Sequence, residues 1–167
     1  MLRFAAIALV GALSAVGAAK AVVSLDDLRH PDLGQPLAAT ATLDDSGGAQ
    51  LVKGPDGHFW AEATIDGRAV RFLVDTGATA VSLNLADAQR LGIDTQHLTY
   101  DYNVITADGR TRAAAVNLAS VTVAGARIDN VDALVIEKGL QTSLLGMSYL
   151  GRLSRFEATP RALVLYR

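Results

Sequence analysis

The 167-residue chain contains no cysteine. A disulfide framework and any thiolate metal site are therefore excluded, while the compartment stays open, since exported proteins without disulfides are common. Histidine is scarce as well: His30, His58 and His97 lie far apart and fit no metal-ligand spacing. Aromatic residues make up 5% of the chain and charged residues 19%, with a formal charge of −2. No stripe of Lys and Arg supplies the electrostatic footprint of a nucleic-acid binder. Phosphate loops are missing too, because "TADGR" and "VAGAR" lack the spaced glycines that cradle a nucleotide. No metal, no other cofactor and no nucleic-acid partner is expected.

What the chain does have is apolar residues, 50% of its length, enough for the core of one ordinary domain plus an extension. The N-terminal "MLRFAAIALVGALSAVGAAK" sets Arg3 ahead of an apolar run at residues 4–19, followed by Lys20. "AKA" at 19–21 offers a small-residue cleavage site, and a spanning helix wants about 20 apolar residues. Residues 1–23 thus read as a signal peptide that is removed or an N-terminal anchor that is retained. Either implies export across the cytoplasmic membrane, to a periplasmic location, soluble or tethered to the inner membrane. Residues 24–56, with Pro31, Pro36, Pro55 and "SGG" at 46–48, hold no lasting pattern and read as a linker or tether. The folded domain is expected over 57–167.

Within that domain the pattern is β. "HFWAEATIDGRAVRFLVDTG" gives two strands joined at Asp66 and Gly67, a two-residue hairpin turn. "VSL" resumes a strand, and Asn84 caps a short helix, "LADAQRL", that Gly92 stops. "YDYNVITADGRTRAAAVNL" is a second hairpin, tipped by Asp108 and Gly109, and "ASVTVAGARIDNVDALVIE" adds strands broken at Ala124 and Gly125. "SLLGMSYLGRL" runs from a strand end into a short helix, and "FEATPRALVLYR" turns at Thr159 and Pro160 before a last strand. Many short strands with one or two short helices argue for an all-β fold, a small barrel or sandwich. "VRFLVDTGATAVSL" and "VDALVIEKGLQTSLLG" echo one another, each an apolar strand, a loop, a second apolar run and a helix. The echo fits approximate internal two-fold symmetry.

The question the sequence poses is Asp75. It follows "RFLV", of which three residues are apolar, and precedes Thr76, Gly77, Ala78 and Thr79. A carboxylate at the end of a buried strand is costly unless hydrogen-bonded or neutralised. Gly77 lets a backbone amide approach it, and Thr76 offers a hydroxyl to tie the loop elsewhere. Two such loops meeting about an axis bring two carboxylates to within roughly 3 Å, where one proton is shared. One acid then serves as general base on water while the other hydrogen-bonds the carbonyl under attack. Asp-Thr-Gly is also an ordinary turn, and the weight here comes from its setting between apolar runs, with "LLG" and a helix further along.

At these residues the chain resembles the retropepsin-like aspartic proteases, and within them the single-domain bacterial branch (clan AA) whose members carry an N-terminal hydrophobic segment. "FLVDTGATAVSL", "DAQRLG", "TADG" and "LLGMSYLGRLSRFE" carry the resemblance, which covers about residues 57–167. It implies a closed small β barrel of the acid-protease type and an aspartic endopeptidase acting on peptides or proteins. It makes Asp75 the catalytic acid, Thr76 the brace between two active-site loops, and Gly77 the backbone contact to substrate and carboxylate. Leu144, Leu145 and Gly146 match the hydrophobic-hydrophobic-glycine element behind the catalytic loop. The hairpin at Thr106, Ala107, Asp108 and Gly109 falls where the family places its substrate-covering flap. The family's charged or amide residue after the second glycine is missing, since the chain reads Gly146, Met147, Ser148.

Only one Asp-Thr-Gly occurs in the chain. Asp66 and Asp108 sit in turns, and Asp129 and Asp132 flank a strand without the glycine, so the dyad requires a symmetric homodimer. Membrane tethering would raise the local concentration of such a dimer. Val81, Leu83 and Ile105 fall near the inferred site, where cleft lining and core packing explain them equally well. The competing reading is a non-catalytic binding or scaffolding module of the same fold.

Overall fold

The computed structural model describes residues 42–43 and 48–167. The apolar run read as a signal peptide or anchor, and most of the stretch read as a tether, lie outside these residues. Among the described residues no helix is long and apolar enough to cross a membrane. In chain order the elements are β1 (Thr42–Leu43), β2 (Ala49–Val52), β3 (Trp60–Ile65), β4 (Arg68–Val74), β5 (Val81–Leu83), α1 (Leu85–Arg90), β6 (Tyr102–Thr106), β7 (Gly109–Val123), β8 (Ala126–Ile136), β9 (Leu144–Leu145), α2 (Met147–Leu150), β10 (Arg155–Ala158) and β11 (Ala162–Tyr166).

Turn chemistry makes the hairpins. Asp66 and Gly67 take φ of 48° and 84°, the two positive values a two-residue turn needs to follow strand twist, and β3 pairs β4 from Ile65↔Arg68 to Trp60↔Leu73. The Asp66 carboxylate also accepts a hydrogen bond from the Ser120 amide at 2.9 Å, so this turn braces β7 as well. Ala124 and Gly125, at 47° and 87°, reverse the chain between β7 and β8, and Gly109 at 111° opens β7 after the tip of the β6–β7 hairpin.

A seven-stranded sheet runs in the order β3-β4-β9-β5-β8-β7-β6. β7 also pairs β3, with Ala63↔Val123 and Ile65↔Val121, so the sheet comes nearly round into a ring. The fold is therefore mostly β with two short helices, in keeping with the sequence. The echo noted there has a structural counterpart. β4 runs parallel to β9 (Leu73↔Leu144) and β5 parallel to β8 (Val81↔Ala133). Each outgoing strand therefore lies beside the strand that follows the other loop.

A second sheet, β1-β2-β11-β10, uses residues expected to be tether. β2 pairs antiparallel with β11, from Ala162↔Val52 to Leu165↔Ala49, and Ala49 and Leu51 are buried. Four alternating residues are too short a run to read as a strand, and what fixes them is a partner at the far end of the chain. The core gathers Ile65, Phe72, Leu83, Leu145, Tyr149 and Leu150, all fully buried, each worth roughly 1.5–3 kcal/mol over an exposed side chain. Val81 and Leu83 belong to this core, whereas Ile105 does not.

Candidate active site

Asp75 follows the last residue of β4 and is half-buried, while Thr76 and Gly77 beside it are exposed. Its side chain is held from within its own loop: the Gly77 amide donates to Oδ1 at 2.8 Å, and a Cβ on Gly77 would stand 3.1 Å from that oxygen. The Ala78 amide donates to the Asp75 carbonyl at 3.2 Å, closing the turn. Among the described residues the Thr76 hydroxyl has no hydrogen-bond partner.

The loop is clamped from behind by the second motif. The Asp75 amide donates to the Leu145 carbonyl at 3.2 Å, and the Met147 amide donates to the Ala78 carbonyl at 2.9 Å. Between these two bonds lies Gly146, buried, with an ordinary extended φ of −94°. Space rather than conformation requires glycine there, since a Cβ would lie 2.2 Å from the Ala80 carbonyl oxygen. One residue on, the Val81 amide donates to Ser148 Oγ at 2.9 Å, and that hydroxyl donates to the Asp132 carbonyl at 2.7 Å. Ser148 thus links the far end of the loop to β8.

In front of Asp75 opens a cleft of about 680 Å³. Asp75, Gly77, Ala78 and Thr79 line it from the loop, and Thr106, Ala107 and Asp108 from the β6–β7 hairpin; Leu144 lines its base. Ile105 also lines it and is 81% exposed, an uncommon state for so large an apolar side chain. Thr76, Leu145, Gly146 and Gly109 stand outside the cleft lining. Leu145 and Gly146 are buried behind the loop, and Gly109 belongs to a smaller neighbouring cavity. Among the described residues no group of three or more His, Asp or Glu is placed to hold a metal ion.

Sequence reasoning missed the third wall of the cleft, residues 139–142, supplied by the loop after β8. It also missed Ser143, fully buried just before β9. The Ser143 hydroxyl donates to Asp87 Oδ2 at 2.5 Å and accepts from the Asn84 amide at 3.1 Å. Asn84 caps α1 as expected, its Oδ1 accepting from the Asp87 amide at 2.8 Å, and its Nδ2 donates to the Gln141 carbonyl at 3.1 Å. This network ties the cleft wall to the first helix. Replacing Ser143 by alanine leaves a backbone amide and a carboxylate without this partner, so a loss of about 1–3 kcal/mol is expected in urea unfolding. An unchanged midpoint would contradict it.

The hairpin over the cleft is fastened at its root. Arg112 on β7 donates to both Glu137 oxygens, Nη2 at 2.7 Å and Nε at 3.1 Å. Hydrogen bonding from Arg112 holds the Glu137 carboxyl below its ordinary value of 4.5. A depressed carboxylate contributes stability above that ordinary value and loses it as pH falls through the folded value. The melting temperature of Glu137→Gln should therefore fall below that of the natural chain near neutral pH and converge with it in acid. A difference that stays unchanged as the medium is made steadily more acidic would contradict the clamp.

A family model described as gag-polyprotein putative aspartyl protease matches residues 61–152. The crystal structure of a retropepsin-like aspartic protease from Rickettsia conorii is similar at a TM-score of 0.66, with 37% identity covering 72% of this chain and 91% of that one. Among curated proteins, an uncharacterized protein in the cobV 5′ region of a Sinorhizobium species is 39% identical, covering 73% of this chain and 54% of its own length. An uncharacterized protein of Rickettsia prowazekii is 37% identical, covering 69% and 49%. The chain spans about half the length of the curated relatives it matches.

Proposed function

The chain belongs to the retropepsin-like aspartic protease family, and from that premise we propose that it is an endopeptidase whose site forms when two copies meet. The supporting observation is the setting of Asp75: a half-buried carboxylate held by the Gly77 amide at 2.8 Å, lining an open cleft. The chain has one Asp-Thr-Gly, so the second acid comes from a second copy. Two carboxylates a few Å apart share one proton, because like charges at that distance cannot both ionise. The ionised member takes a proton from water as it attacks the peptide carbonyl, and the protonated member donates to the developing oxyanion.

The neighbouring residues take roles consistent with their positions. The Thr76 hydroxyl, exposed and without a partner among the described residues, bonds the opposite loop across the two-fold axis. Gly77 keeps the approach to the carboxylate open. The hairpin bearing Thr106, Ala107, Asp108 and Gly109 lies over the bound peptide, and Leu144, Leu145 and Gly146 hold the loop from behind. The N-terminal segment exports the domain to the periplasm, where retention as an anchor would concentrate two copies in one membrane plane.

Cleavage profiling of the full chain against a peptide library, with and without a statine-type transition-state mimic, tests the assignment. Cleavage that the mimic suppresses is expected. A chain that binds peptides but cleaves none would instead be the binding module, and the proposal would be wrong.

A further inference from the structure

Beside the cleft, on the far side of the hairpin tip, lies a second cavity of about 230 Å³. It is contiguous with the cleft, because Thr106, Asp108 and Gly139 line both. Gly139, at φ 75°, lets the loop after β8 lie against the hairpin: a Cβ there would stand 3.3 Å from both Asp108 Cβ and Thr106 Oγ1. What distinguishes this cavity from the apolar cleft is its charge. Arg110 and Lys138 line it, both exposed, and among the described residues neither makes an ion pair or hydrogen bond through its side chain. The acid next to Lys138, Glu137, already has both oxygens on Arg112, and Lys138 adds its charge to that pair without a direct bond.

Thr111 lines the same cavity and is only 8% exposed. One opposing charge is present: Asp108 lines the cavity, exposed and in no ion pair among the described residues. Two cations against one carboxylate leave the cavity net positive.

We propose that this cavity is a substrate subsite that accepts the carboxylate of an acidic side chain, so that the enzyme selects peptides carrying Asp or Glu at one position beyond the hairpin. The inference rests on the peptidase reading and deepens it. A peptide lying under the hairpin in the apolar cleft passes Thr106 and Asp108 to leave it, and the next side chain on that face meets Arg110 and Lys138. Asp108 opposes the acidic ligand and keeps the preference moderate, so removing its charge sharpens the selection.

The test uses the full chain and peptides of one apolar cleavage sequence, amidated at the C-terminus, with Glu or Gln at successive positions on either side of the scissile bond. At one position kcat/KM for Glu should exceed that for Gln by roughly twofold to fivefold, as for an exposed charge pair, with the gain in KM. The ratio should rise in Asp108→Asn, fall below one in Lys138→Glu, and shrink as salt is added. A ratio near one at every position, or one that Lys138→Glu and Arg110→Glu leave unchanged, overturns the subsite. Free-acid versions separate the sources of the carboxylate: a gain confined to them overturns the side-chain assignment. If no peptide is cleaved, the peptidase reading fails instead, and fluorescence anisotropy of the same peptides bound to the chain reads the Glu-to-Gln ratio directly.

Discussion

Asp75→Asn is expected to abolish peptide cleavage while leaving the fold and self-association intact. The amide keeps the size of the carboxyl group and can still accept from the Gly77 amide, so the loop geometry, with its 2.8 Å bond, should persist. What it cannot do is take a proton from water. General acid–base groups contribute about 10²–10⁴-fold, and here both members of the pair would be lost at once, so the fall should reach at least the upper part of that range. Mixing supplies a sharper form of the test. If natural and substituted chains exchange freely in equal amounts, about a quarter of dimers carry two natural copies, so cleavage per chain should drop below what simple dilution of active chains gives. Residual cleavage near the natural rate, or mixing that only dilutes, would remove Asp75 from the proposed role.

The second large effect is expected at Gly146. A Cβ there would lie 2.2 Å from the Ala80 carbonyl oxygen, 2.6 Å from the Ala80 carbonyl carbon and 2.7 Å from the Ala78 carbonyl oxygen. All three are backbone atoms, so no side-chain rotation relieves the contact. The loop of residues 75–80 would have to move away from β9, breaking the Met147–Ala78 bond and shifting the Asp75–Leu145 bond. Overpacking in a tight interior costs about 1–3 kcal/mol and occasionally more, and three backbone collisions place Gly146→Ala at the upper end. Urea unfolding should show a large drop in midpoint, and whatever folds should cleave poorly. Gly57→Ala is the contrast: its Cβ would meet nothing within 4 Å, and only its positive φ of 80° opposes the change. Equal stability losses at the two positions would mean that space behind the loop of residues 75–80 is not what makes glycine necessary.

Much of this fold was legible because its signals are local. Asp66 with Gly67, and Ala124 with Gly125, mark hairpins by the positive φ those turns need. The alternation in "WAEATI" puts Ala61, Ala63 and Ile65 inside. Asp75 was legible for the same reason, as a carboxylate closing an apolar strand next to a glycine. What was not legible depends on partners far away in sequence. β2 is four residues long and takes its identity from β11. Ser143 meets Asp87 across 56 positions, and Ser148 meets Val81 across 67. A lone serine carries no sign of such a partner, and the echo that hinted at pairing between the two halves did not say which hydroxyls would tie them. The loop after β8 was read only as a connection, although it supplies one wall of the cleft and, with Lys138, half the charge of the adjoining cavity.

The central claim is that one chain holds half a site, and specific activity as a function of protein concentration, followed together with mass in solution, tests it most directly. Cleavage per chain should rise from near zero at high dilution to a plateau, with its midpoint where the mass doubles. Constant cleavage per chain over a range in which the protein weighs as a single copy would show that one carboxyl group suffices, and would contradict the account.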